Sequence, residues 1–288
     1  MRSRTLLQSY QRCCKPCSLP ENITPDTHGH SPADIEETMT DLPLNYTPEA
    51  DALANKVIVV TGAGDGIGRV AALACAAHGA NVVLLGRTGS KLEAVYDEIE
   101  AAGYPPATIF ETDMKTATRE DYAALAKGIQ EAFGRLDGLL HNASLLGERT
   151  PLANYKPELW DEVMQVNVTA QLSLTQALLP LLEAAPAASI IFTSSGVGRR
   201  GRAHWGAYAV SKFATEGMMQ VLADELENIS KVRVNSLNPG ATRTRMRASA
   251  YPGEDPATLK TAEELMPSYV YLLSDESLGI TGRALNAQ

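Results

Sequence analysis

The sequence predicts a single α/β domain with a doubly wound, mostly parallel sheet of seven strands and helices on both faces. From Lys56 onward, apolar runs of strand length alternate with amphipathic stretches of helix length, an alternation typical of parallel sheets. Most of these runs are apolar at successive positions, as strands covered by helices on both faces are. Right-handed crossovers between such strands produce a doubly wound sheet.

The alternation places each element in order. Strands are predicted at residues 57–61, 82–85, 108–110, 136–140, 189–193, 232–237 and 280–285. Helical patterns lie between them at residues 66–78, 89–101, 119–132, 157–183, 207–228 and 262–273. These elements occupy the chain from residue 56 to its end, so a second folded domain has no room.

Residues 1–40 differ in composition from the rest of the chain. They hold four prolines and three of the four cysteines, without an apolar period, so we interpret them as a disordered extension. The alternative, which we favour, is that Met39 is the true start. Residues 41–55 then form a lead-in segment, and residues 56–288 form the domain that includes the substrate site.

The chain is acidic, with 25 Lys and Arg against 34 Asp and Glu and a formal net charge of -9. Nucleic acids and anionic membrane surfaces repel such a protein, so neither is an expected partner. The sequence also lacks the run of about 18 apolar residues that spans a bilayer. Cys75, among the alanines of a predicted helix, packs as a free apolar thiol. We therefore expect a soluble, cytoplasmic protein.

A metal site is not expected. Cys13, Cys14 and Cys17 are followed by His28 and His30. These side chains lie in a polar, proline-rich tract without the second ligand pair on an ordered scaffold that a structural zinc site needs. We therefore predict no metal ligands.

The loop after the first predicted strand is rich in glycine. Glycines at positions 62, 66 and 68 have the spacing Gly-x-x-x-Gly-x-Gly, and an Ala-rich helix follows. Such glycines let the backbone approach a pyrophosphate, whose charge the N-terminal amides of the helix stabilise. Strand, loop and helix in this order predict a dinucleotide site on a Rossmann-type fold. Its candidate residues are Thr61, Gly62, Gly64, Asp65, Gly66, Ile67 and Gly68.

The end of the second predicted strand bears on the choice of dinucleotide. An acidic residue there normally binds the ribose hydroxyls of NAD, but Gly86 has no carboxylate. Arg87 offers a cation for a 2'-phosphate, so NADP(H) is favoured over NAD(H). Against this, Asp65 adds negative charge, and Arg87 as a solvated surface residue is the alternative. Asp113, after the third strand, is a candidate acceptor for the adenine amino group or an ordinary loop aspartate.

Tyr208 and Lys212 form the candidate catalytic pair. They lie four residues apart, hence on one face of a predicted helix. A phenol with a pKa of about 10 is a poor acid, and a nearby ammonium lowers that pKa. Ser195 ends the fifth predicted strand, thirteen residues earlier, at the sheet edge where ligands of such folds bind. There its hydroxyl can hydrogen-bond a substrate carbonyl.

Together with three further motifs in the same order, these residues resemble the short-chain dehydrogenase/reductase superfamily in its compact, non-extended form. The further motifs are His141-Asn142-Ala143-Ser144, Asn167 within Gln165-Val-Asn-Val168, and Pro239-Gly240-x-x-x-Thr244. The resemblance extends from about Lys56 to the C-terminus. Within the superfamily the chain is similar to YciK-type bacterial oxidoreductases, which are grouped with 3-oxoacyl-acyl-carrier-protein reductases. It departs at Ser144, where the family has a glycine that permits close approach or positive φ.

The resemblance implies an NAD(P)H-dependent enzyme that acts on a CH–OH or C=O group. It implies that Tyr208 donates a proton to a ketone, that Lys212 lowers the pKa of Tyr208 and holds the nicotinamide ribose, and that Ser195 orients the carbonyl. It further implies that Asn167 holds a water in the proton relay. On the cofactor side the implied residues are Asn142, Ala143, Pro239, Gly240, Thr242 and Thr244, the last at the nicotinamide carboxamide. The alternative is a redox sensor that binds the dinucleotide without turnover; the four catalytic candidates together favour the enzyme.

Two groups of arginines are predicted to flank the substrate mouth. They are Arg199, Arg200 and Arg202 after Ser195, and Arg243, Arg245 and Arg247 after the Pro-Gly turn. They either attract an anionic or thioester-linked carbonyl substrate or pair with the protein's own carboxylates, and both interpretations stay open. Trp205 either shapes the pocket or packs within its loop, and loop packing is favoured. The helices that end near Leu182 and Asn228 have broad apolar faces, and the resemblance implies a homodimer or homotetramer.

Overall fold

The computed structural model describes residues 42–43 and 46–288. The expectations for residues 1–40, which include the cysteine-rich tract and the start at Met39, lie outside the described residues. Among the residues that the structure describes, no helix combines the length and the hydropathy needed to cross a membrane.

The described residues form one seven-stranded sheet. Its strands are β1 (Val57–Thr61), β2 (Asn81–Gly86), β3 (Thr108–Glu111), β4 (Gly138–His141), β5 (Ala188–Thr193), β6 (Val232–Asn238) and β7 (Ala284–Asn286). They lie in the order β3-β2-β1-β4-β5-β6-β7, and every neighbouring pair is parallel. The predicted doubly wound sheet is confirmed.

Helices cover both faces of this sheet. Within the described residues they are α1 (Gly66–Ala77), α2 (Gly89–Ala101), α3 (Arg119–Phe133), α4 (Pro157–Met164), α5 (Ala170–Glu183), α6 (Gly206–Leu226), α7 (Arg245–Ala250) and α8 (Met266–Leu273). Several of their ends are set by local side chains. Asp65 caps α1, and Thr118 with Asp121 forms a capping box on α3, which ends at Gly134 in the left-handed conformation.

The alternation of side chains along β1 divides the interior into two cores. Ile58 and Val60 pack with α1, α2 and α8, whereas Val57 and Val59 pack with α3, α5 and α6. All four side chains are buried, and each buried side chain of this size contributes about 1.5–3 kcal/mol of hydrophobic stabilisation. The sheet between the two cores is therefore a rigid support for the loops at its edge.

The lead-in segment is attached to this domain. Leu53 is fully buried in the core that contains α1. The Tyr46 hydroxyl donates to Glu276 at 2.7 Å, and its ring meets Tyr271 edge-on with centroids 4.9 Å apart. Residues 46–55 thus pack on the domain without adding a strand.

The order of the strands produces a crevice above β1 and β4. β1 pairs with β2 on one side and with β4 on the other, so the loops that leave β1 and β4 run in opposite directions. Ligands of doubly wound sheets bind at such a switch point, outside the carboxyl ends of the strands. The glycine-rich loop and the loop after β4 both start there.

Four elements differ from the prediction. The long helix predicted at 157–183 is interrupted by a π-helical turn at Gln165–Thr169, and α7 had not been predicted. The helix predicted at 262–273 begins at Met266, after a 3-10 turn at Glu263–Leu265. The last strand begins at Ala284 rather than at residue 280. Gly282 has a φ of +69°, which is not a strand conformation, so the regular pairing with β6 starts only after it, although its amide already donates to the Val234 carbonyl of β6.

Candidate active site

A cleft of about 640 Å³ lies at the carboxyl ends of the strands. The glycine-rich loop, Arg87 and Asp113 line one half, and Ser195, Tyr208 and Lys212 line the other. The predicted cofactor residues and the predicted catalytic residues are therefore brought into one continuous cleft.

The glycine-rich loop has the backbone geometry of a dinucleotide cradle. Gly62 and Gly66 have φ values of +69° and +53°, which L side chains rarely adopt. A Cβ on Gly68 would lie 2.3 Å from the carbonyl oxygen of Gly62. The helix α1 can thus begin directly under the loop, with its N-terminal amides at the cleft, where they suit a pyrophosphate. The residues present fit an NAD(P) cofactor.

Thr61 connects this loop to the loop after β4. Its buried hydroxyl donates to the carbonyl of Leu140 at 3.2 Å and accepts from the amides of Asn142 and Ala143 at 2.9 and 3.0 Å. The side-chain amide of Asn142 also donates to the Thr61 carbonyl at 3.3 Å. Thr61 and Asn142 therefore fix the width of the crevice, while Ala143 lies against Gly62.

Asp65 is surrounded by cations. It caps Gly66 and accepts from Lys91 Nζ at 2.6 Å, and Arg245 lies 3.3 Å away. The hydrogen bond from Lys91 is the main reason that the pKa of Asp65 is lowered. Arg87 lies exposed along the same wall of the cleft. The negative charge of Asp65, which weighed against a bound phosphate, is thus neutralised within the structure.

Asp113 forms a turn directly after β3. Its carboxylate accepts from the amide of Lys115 at 3.0 Å, and its side chain lines the cleft. The first contact is that of an ordinary loop aspartate, and the second leaves a carboxylate oxygen available to a ligand. Both interpretations of Asp113 are compatible with this geometry.

Tyr208, Ser195 and Lys212 meet at the inner end of the cleft. The Tyr208 hydroxyl lies close to the side chain of Ser195, which is located between β5 and a short 3-10 turn. Lys212 is 1% exposed, and its Nζ lies 5.6 Å from the centre of the Tyr208 ring. The ammonium donates to the carbonyl oxygen of Thr193 at 2.7 Å. The three residues thus share one small volume, as their positions in the sequence predict.

The pKa values at this site differ from the simple expectation. Burial raises the pKa of Tyr208 to about 12, and the hydrogen bond with Ser195 opposes this rise only in part. Burial also lowers the pKa of Lys212 to about 8, against the charge of Glu216. The expected lowering of the Tyr208 pKa by Lys212 is not seen, because desolvation of the phenol dominates and the ammonium is directed at Thr193.

Asn167 lies in the π-helical turn between α4 and α5. Its fully buried side chain donates to the Leu145 carbonyl and to Ser211 Oγ, both at 2.9 Å, and accepts from the Leu145 amide at 2.8 Å. It therefore holds the loop after β4 against α6. Both amide hydrogens are engaged, so little of this side chain is left for the water that was expected there.

The turn after β6 supplies the opposite wall of the cleft. Gly240, with φ +71°, follows the buried Pro239, and the Thr242 hydroxyl donates back to the Pro239 carbonyl at 3.1 Å. Thr244 lines the cleft but uses its hydroxyl to cap α7, where it accepts from the Arg247 amide at 3.1 Å. The predicted contact of Thr244 with a carboxamide thus competes with this capping bond.

Ser144, the departure from the family pattern, lines the cleft with a buried hydroxyl. It has no hydrogen-bond partner among the described residues. Its backbone is not among those with positive φ, so serine is accommodated there without strain. A buried hydroxyl on the wall of a cleft is available to a ligand or a water.

The substrate half of the cleft is mainly apolar. The residues that line it are Leu146, Trp205, Met246 and Ala250. The buried Trp205 thus shapes the pocket and does not only pack within its own loop. Arg149 closes this wall from behind: its guanidinium lies 4.9 Å from the ring centres of Trp205 and Tyr251 and donates to the Ala250 carbonyl. Arg149 thereby joins the loop after β4 to α7.

Four of the six mouth arginines have partners within the protein. Arg199 pairs with Glu216, Arg247 pairs with Glu254 through two bonds of 2.6 Å, Arg245 pairs with Asp65, and Arg243 donates to backbone carbonyls. Arg200 and Arg202 are exposed. Internal pairing is thus the better description of most of these arginines.

Sequence reasoning missed Lys91, Arg149 and Glu216. Lys91 had a usable signal, because it lies four residues after Arg87 in the first turn of a helix that starts at the cleft. Arg149 and Glu216 had none, because their partners come from distant parts of the chain. Within residues 42–43 and 46–288, no cluster of three His, Cys, Asp or Glu is suited to a metal, and Cys13, Cys14 and Cys17 lie outside the described residues.

Comparisons with known proteins agree with this geometry. A family model described as short chain dehydrogenase matches residues 56–255. Over 246 residues the chain is 54% identical to the uncharacterised oxidoreductase YciK of Escherichia coli K12, covering 85% of this chain and 96% of that protein.

Solved structures give the same result. A short chain dehydrogenase from Pseudomonas syringae is 56% identical with a TM-score of 0.83, covering 85% of this chain and 99% of that one. Another, from Escherichia coli CFT073 and complexed with NADPH, is 55% identical with a TM-score of 0.81, covering 84% and 100%. The chain is an oxidoreductase that belongs to the short-chain dehydrogenase/reductase family.

Proposed function

We propose that the protein is an NADPH-dependent ketone reductase in which Tyr208 donates the proton. The observation that carries the proposal is the meeting of Tyr208, Ser195 and Lys212 at the inner end of the cleft that contains the glycine-rich loop. A reduced nicotinamide bound in this cleft supplies a hydride to the carbonyl carbon. The side chains of this protein orient the carbonyl, donate the proton and stabilise the resulting phenolate.

The preference for NADPH rests on the charges near Arg87. Gly86 ends β2 without a carboxylate, Arg87 is exposed at the cleft, and Lys91 already neutralises Asp65. Two cations around one paired carboxylate suit a phosphate dianion. A similar short chain dehydrogenase that is complexed with NADPH supports the same preference.

The proton moves from Tyr208 to the oxygen of the substrate. Ser195 is within hydrogen-bond reach of the phenol, so a carbonyl oxygen between the two hydroxyls accepts a hydrogen bond from each. As hydride arrives, that oxygen becomes an alkoxide, which is a much stronger base than a phenolate. Transfer is therefore downhill even though burial raises the pKa of Tyr208 to about 12.

Lys212 stabilises the phenolate that this transfer leaves behind. The ammonium is buried beside the Tyr208 ring, where water does not screen its charge. It stays protonated on the acidic side of its pKa, which burial lowers to about 8. Reduction is therefore expected to fail at alkaline pH, as Lys212 loses its proton.

The substrate that fits best is an uncharged ketone with an apolar body. Leu146, Trp205 and Ala250 form the walls next to Tyr208, and Arg247 on the same side is engaged by Glu254. An anionic or thioester-linked substrate would have to rely on the exposed Arg200 and Arg202. We therefore place neutral cyclic and aryl ketones first.

The proposal is tested by NADPH oxidation against a panel of neutral ketones, keto acids and 3-oxoacyl thioesters. We expect turnover with neutral ketones and a loss of at least about a thousandfold in kcat for Tyr208→Phe, because the proton donor is removed. The NADPH dissociation constant of this variant should change by less than about threefold, since packing of the ring is kept.

Tyr104→Phe is the matched control, because Tyr104 is an exposed tyrosine outside the cleft lining. It should leave both kcat and NADPH binding unchanged. Tight NADPH binding without turnover on any carbonyl would contradict the reductase and favour a redox sensor. Turnover that Tyr208→Phe does not affect would remove Tyr208 from the proposed step.

The assembly and the location are also proposals. The outer faces of α5 and α6 carry the exposed apolar residues Leu172, Val210, Phe213 and Val221, which supports a homodimer or homotetramer formed through these helices. A cytoplasmic location is supported by the acidic surface and by the buried thiol of Cys75.

A further inference from the structure

A partly buried ion pair lies directly behind the inner end of the cleft. Glu216 follows Lys212 by one turn of α6 and is 6% exposed. Its carboxylate accepts from Arg199 Nε at 2.9 Å and from Ser194 Oγ and Ser236 Oγ, both at 2.6 Å. A nearly buried carboxylate with three hydrogen-bond donors is strongly held in place.

Arg199 extends this contact to the strand ends. Its guanidinium donates to Asn286 Oδ1 at 2.9 Å and to the Leu285 carbonyl at 2.8 Å, both on β7. Ser194 directly follows β5, and Ser236 lies on β6. The pair therefore ties α6 to the carboxyl ends of three neighbouring strands, at the point where Ser195 enters the cleft.

The turn between Ser195 and Arg199 also packs on Lys212. A Cβ on Gly198 would lie 2.7 Å from Lys212 Cβ and 2.8 Å from its carbonyl oxygen. This close approach places the turn against the backbone of Lys212. The position of the turn is fixed at one end by Ser194 and at the other by Arg199, and both of these residues bind Glu216.

From this geometry we infer that Glu216, held by Arg199, is a positioning residue for Lys212 and Ser195 that also sets the charge state of Lys212. The inference rests on the proposed function, in which Lys212 acts as a cation. The charge of Glu216 raises the pKa of Lys212, which burial alone would lower further. We expect Arg199 to act on the pKa of Lys212 in the opposite sense, because it carries a charge of the same sign as Lys212.

The other groups that face Lys212 are uncharged near neutral pH. Tyr208 lies on the same helix, and Tyr269 reaches over from α8, with its hydroxyl 3.4 Å from Thr193 Oγ1. Burial lowers the pKa of His141 to about 3, and the charge of Lys212 contributes to that shift, so this β4 imidazole is neutral. Glu216 and Arg199 are thus the charges that we expect to set the charge state of Lys212.

The carboxylates of the helix packed on α6 are directed elsewhere. On α4, Glu158 and Asp161 are exposed, and Glu162 pairs with Lys115 at 2.5 Å. They do not face the ammonium of Lys212. The balance between Glu216 and Arg199 can therefore be tested by removing one charge at a time.

The test compares Glu216→Gln with Arg199→Gln. Each substitution breaks the same buried pair, so a merely structural role predicts that both act alike. Our inference predicts opposite shifts. Glu216→Gln should lower the pKa of Lys212 by about one unit and Arg199→Gln should raise it.

Two readouts are needed. The first is the alkaline limb of kcat for ketone reduction, where the fall of kcat in Glu216→Gln should begin about one pH unit lower, a loss of about tenfold above the pKa of Lys212 relative to the plateau of the same variant. The second is the Lys212 ¹³Cε chemical shift in cofactor-free protein with labelled lysine, followed against pH and assigned with Lys212→Met. This titration does not depend on turnover, so it separates failure of the inference from failure of the proposed reaction.

Shifts of the same sign in both variants, or an unchanged Lys212 titration, would overturn the inference. If either single variant fails to fold, Arg199→Met/Glu216→Met replaces the pair with apolar side chains of similar size, a change that buried ion pairs often tolerate. Because Glu216 is the charge that raises the pKa of Lys212, the double variant should still lower that pKa. A pKa equal to that of the parent protein would contradict the inference in that background too.

Discussion

Arg87 is the single residue on which the dinucleotide preference depends most. It lies exposed at the end of β2, next to Lys91 and opposite the loop that holds Asp65. Lys91 is already engaged by a carboxylate, whereas Arg87 has no carboxylate partner among the ion pairs of the described residues. Its guanidinium is therefore the cation of this region that is most readily available to bind a ligand phosphate.

Replacing this residue should change the cofactor preference. In Arg87→Asp we expect the NADPH dissociation constant to rise about tenfold to a hundredfold, as loss of a charge-assisted hydrogen bond implies. The NADH dissociation constant should stay equal or fall, since a carboxylate there can accept from ribose hydroxyls. Fluorescence titration with both dinucleotides measures this ratio.

Arg119→Asp is the control for the change in net charge, because Arg119 is exposed at the start of α3 and outside the cleft lining. It should alter neither affinity by more than about twofold, as surface charges at a distance are screened. An unchanged NADPH to NADH ratio in Arg87→Asp would refute the phosphate-site interpretation.

At the level of single residues, the sequence predicts those whose meaning lies in local spacing. Tyr208 and Lys212 lie one helical turn apart, and the spacing of the glycines after β1 predicts a dinucleotide-binding loop. Glu216 and Arg149 acquire their roles only from distant contacts, such as Ser236 or Trp205. The spacing also gives no information on the burial that raises the pKa of Tyr208, because burial depends on the whole folded chain.

At the level of elements, the junction between the glycine-rich loop and α1 depends on close approach. Gly68 is a helical residue whose missing side chain leaves room for the Gly62 carbonyl, which would lie 2.3 Å from a Cβ. Gly128, inside α3, has no atom within 4 Å of the corresponding position. The two glycines form a natural pair for comparison.

Gly68→Ala should displace the loop from α1, lower stability by about 1–3 kcal/mol and weaken NADPH binding at least tenfold, because overpacking shifts the backbone. Gly128→Ala should instead raise stability by about 0.5–1 kcal/mol, since alanine has the higher helix propensity. Urea unfolding and dinucleotide titration of both variants measure these effects. Equal effects of the two substitutions would contradict the close-packed junction.

The elements that were predicted have a signal in adjacent residues, whereas those that were missed depend on a cap or on distant contacts. Strands such as β1 and β5 are continuous apolar runs, so their signal lies in a few adjacent residues. The helix α7 is six residues long and rich in arginine, and its start depends on the Thr244 cap. The π-helical turn at Gln165–Thr169 follows from the contacts of Asn167 with Leu145 and Ser211, which periodicity does not contain.

At the level of the whole molecule, the outer face of α6 is apolar. Val210, Phe213 and Val221 are spaced to lie on one side of the helix and are 37–58% exposed, and Leu172 is exposed on α5. A folded monomer rarely leaves such a patch in water. We expect this patch to be covered in a homodimer.

Phe213→Glu should therefore convert the oligomer to monomers, because the interface would bury a carboxylate on each subunit without a partner. Light scattering coupled to size-exclusion chromatography measures the mass in solution. Tyr104→Glu is the control, since Tyr104 is an exposed aromatic residue on the loop between α2 and β3. A parent protein that is already monomeric, or a Phe213→Glu protein that stays oligomeric, would contradict the expectation.

The topology of the whole sheet was predictable, because alternating strands and helices leave few right-handed arrangements. The shape of the substrate half was not. It is built from Trp205, Arg149 and α7, whose contacts depend on loop conformations that no local pattern encodes. The sequence therefore predicts the chemistry of the cleft but not the identity of the ketone.

The ion pair between Asp65 and Arg245 has a kinetic consequence. One carboxylate both caps the helix under the cofactor loop and pairs with the first residue of α7. Exposed pairs of this kind are worth about 0–1 kcal/mol, so this one contact is formed only a few times more often than it is broken. A dinucleotide that settles beside Asp65 shifts that ratio before any ketone arrives. The two reactants are thus expected to enter in a fixed order, with the cofactor first and its oxidised form leaving last.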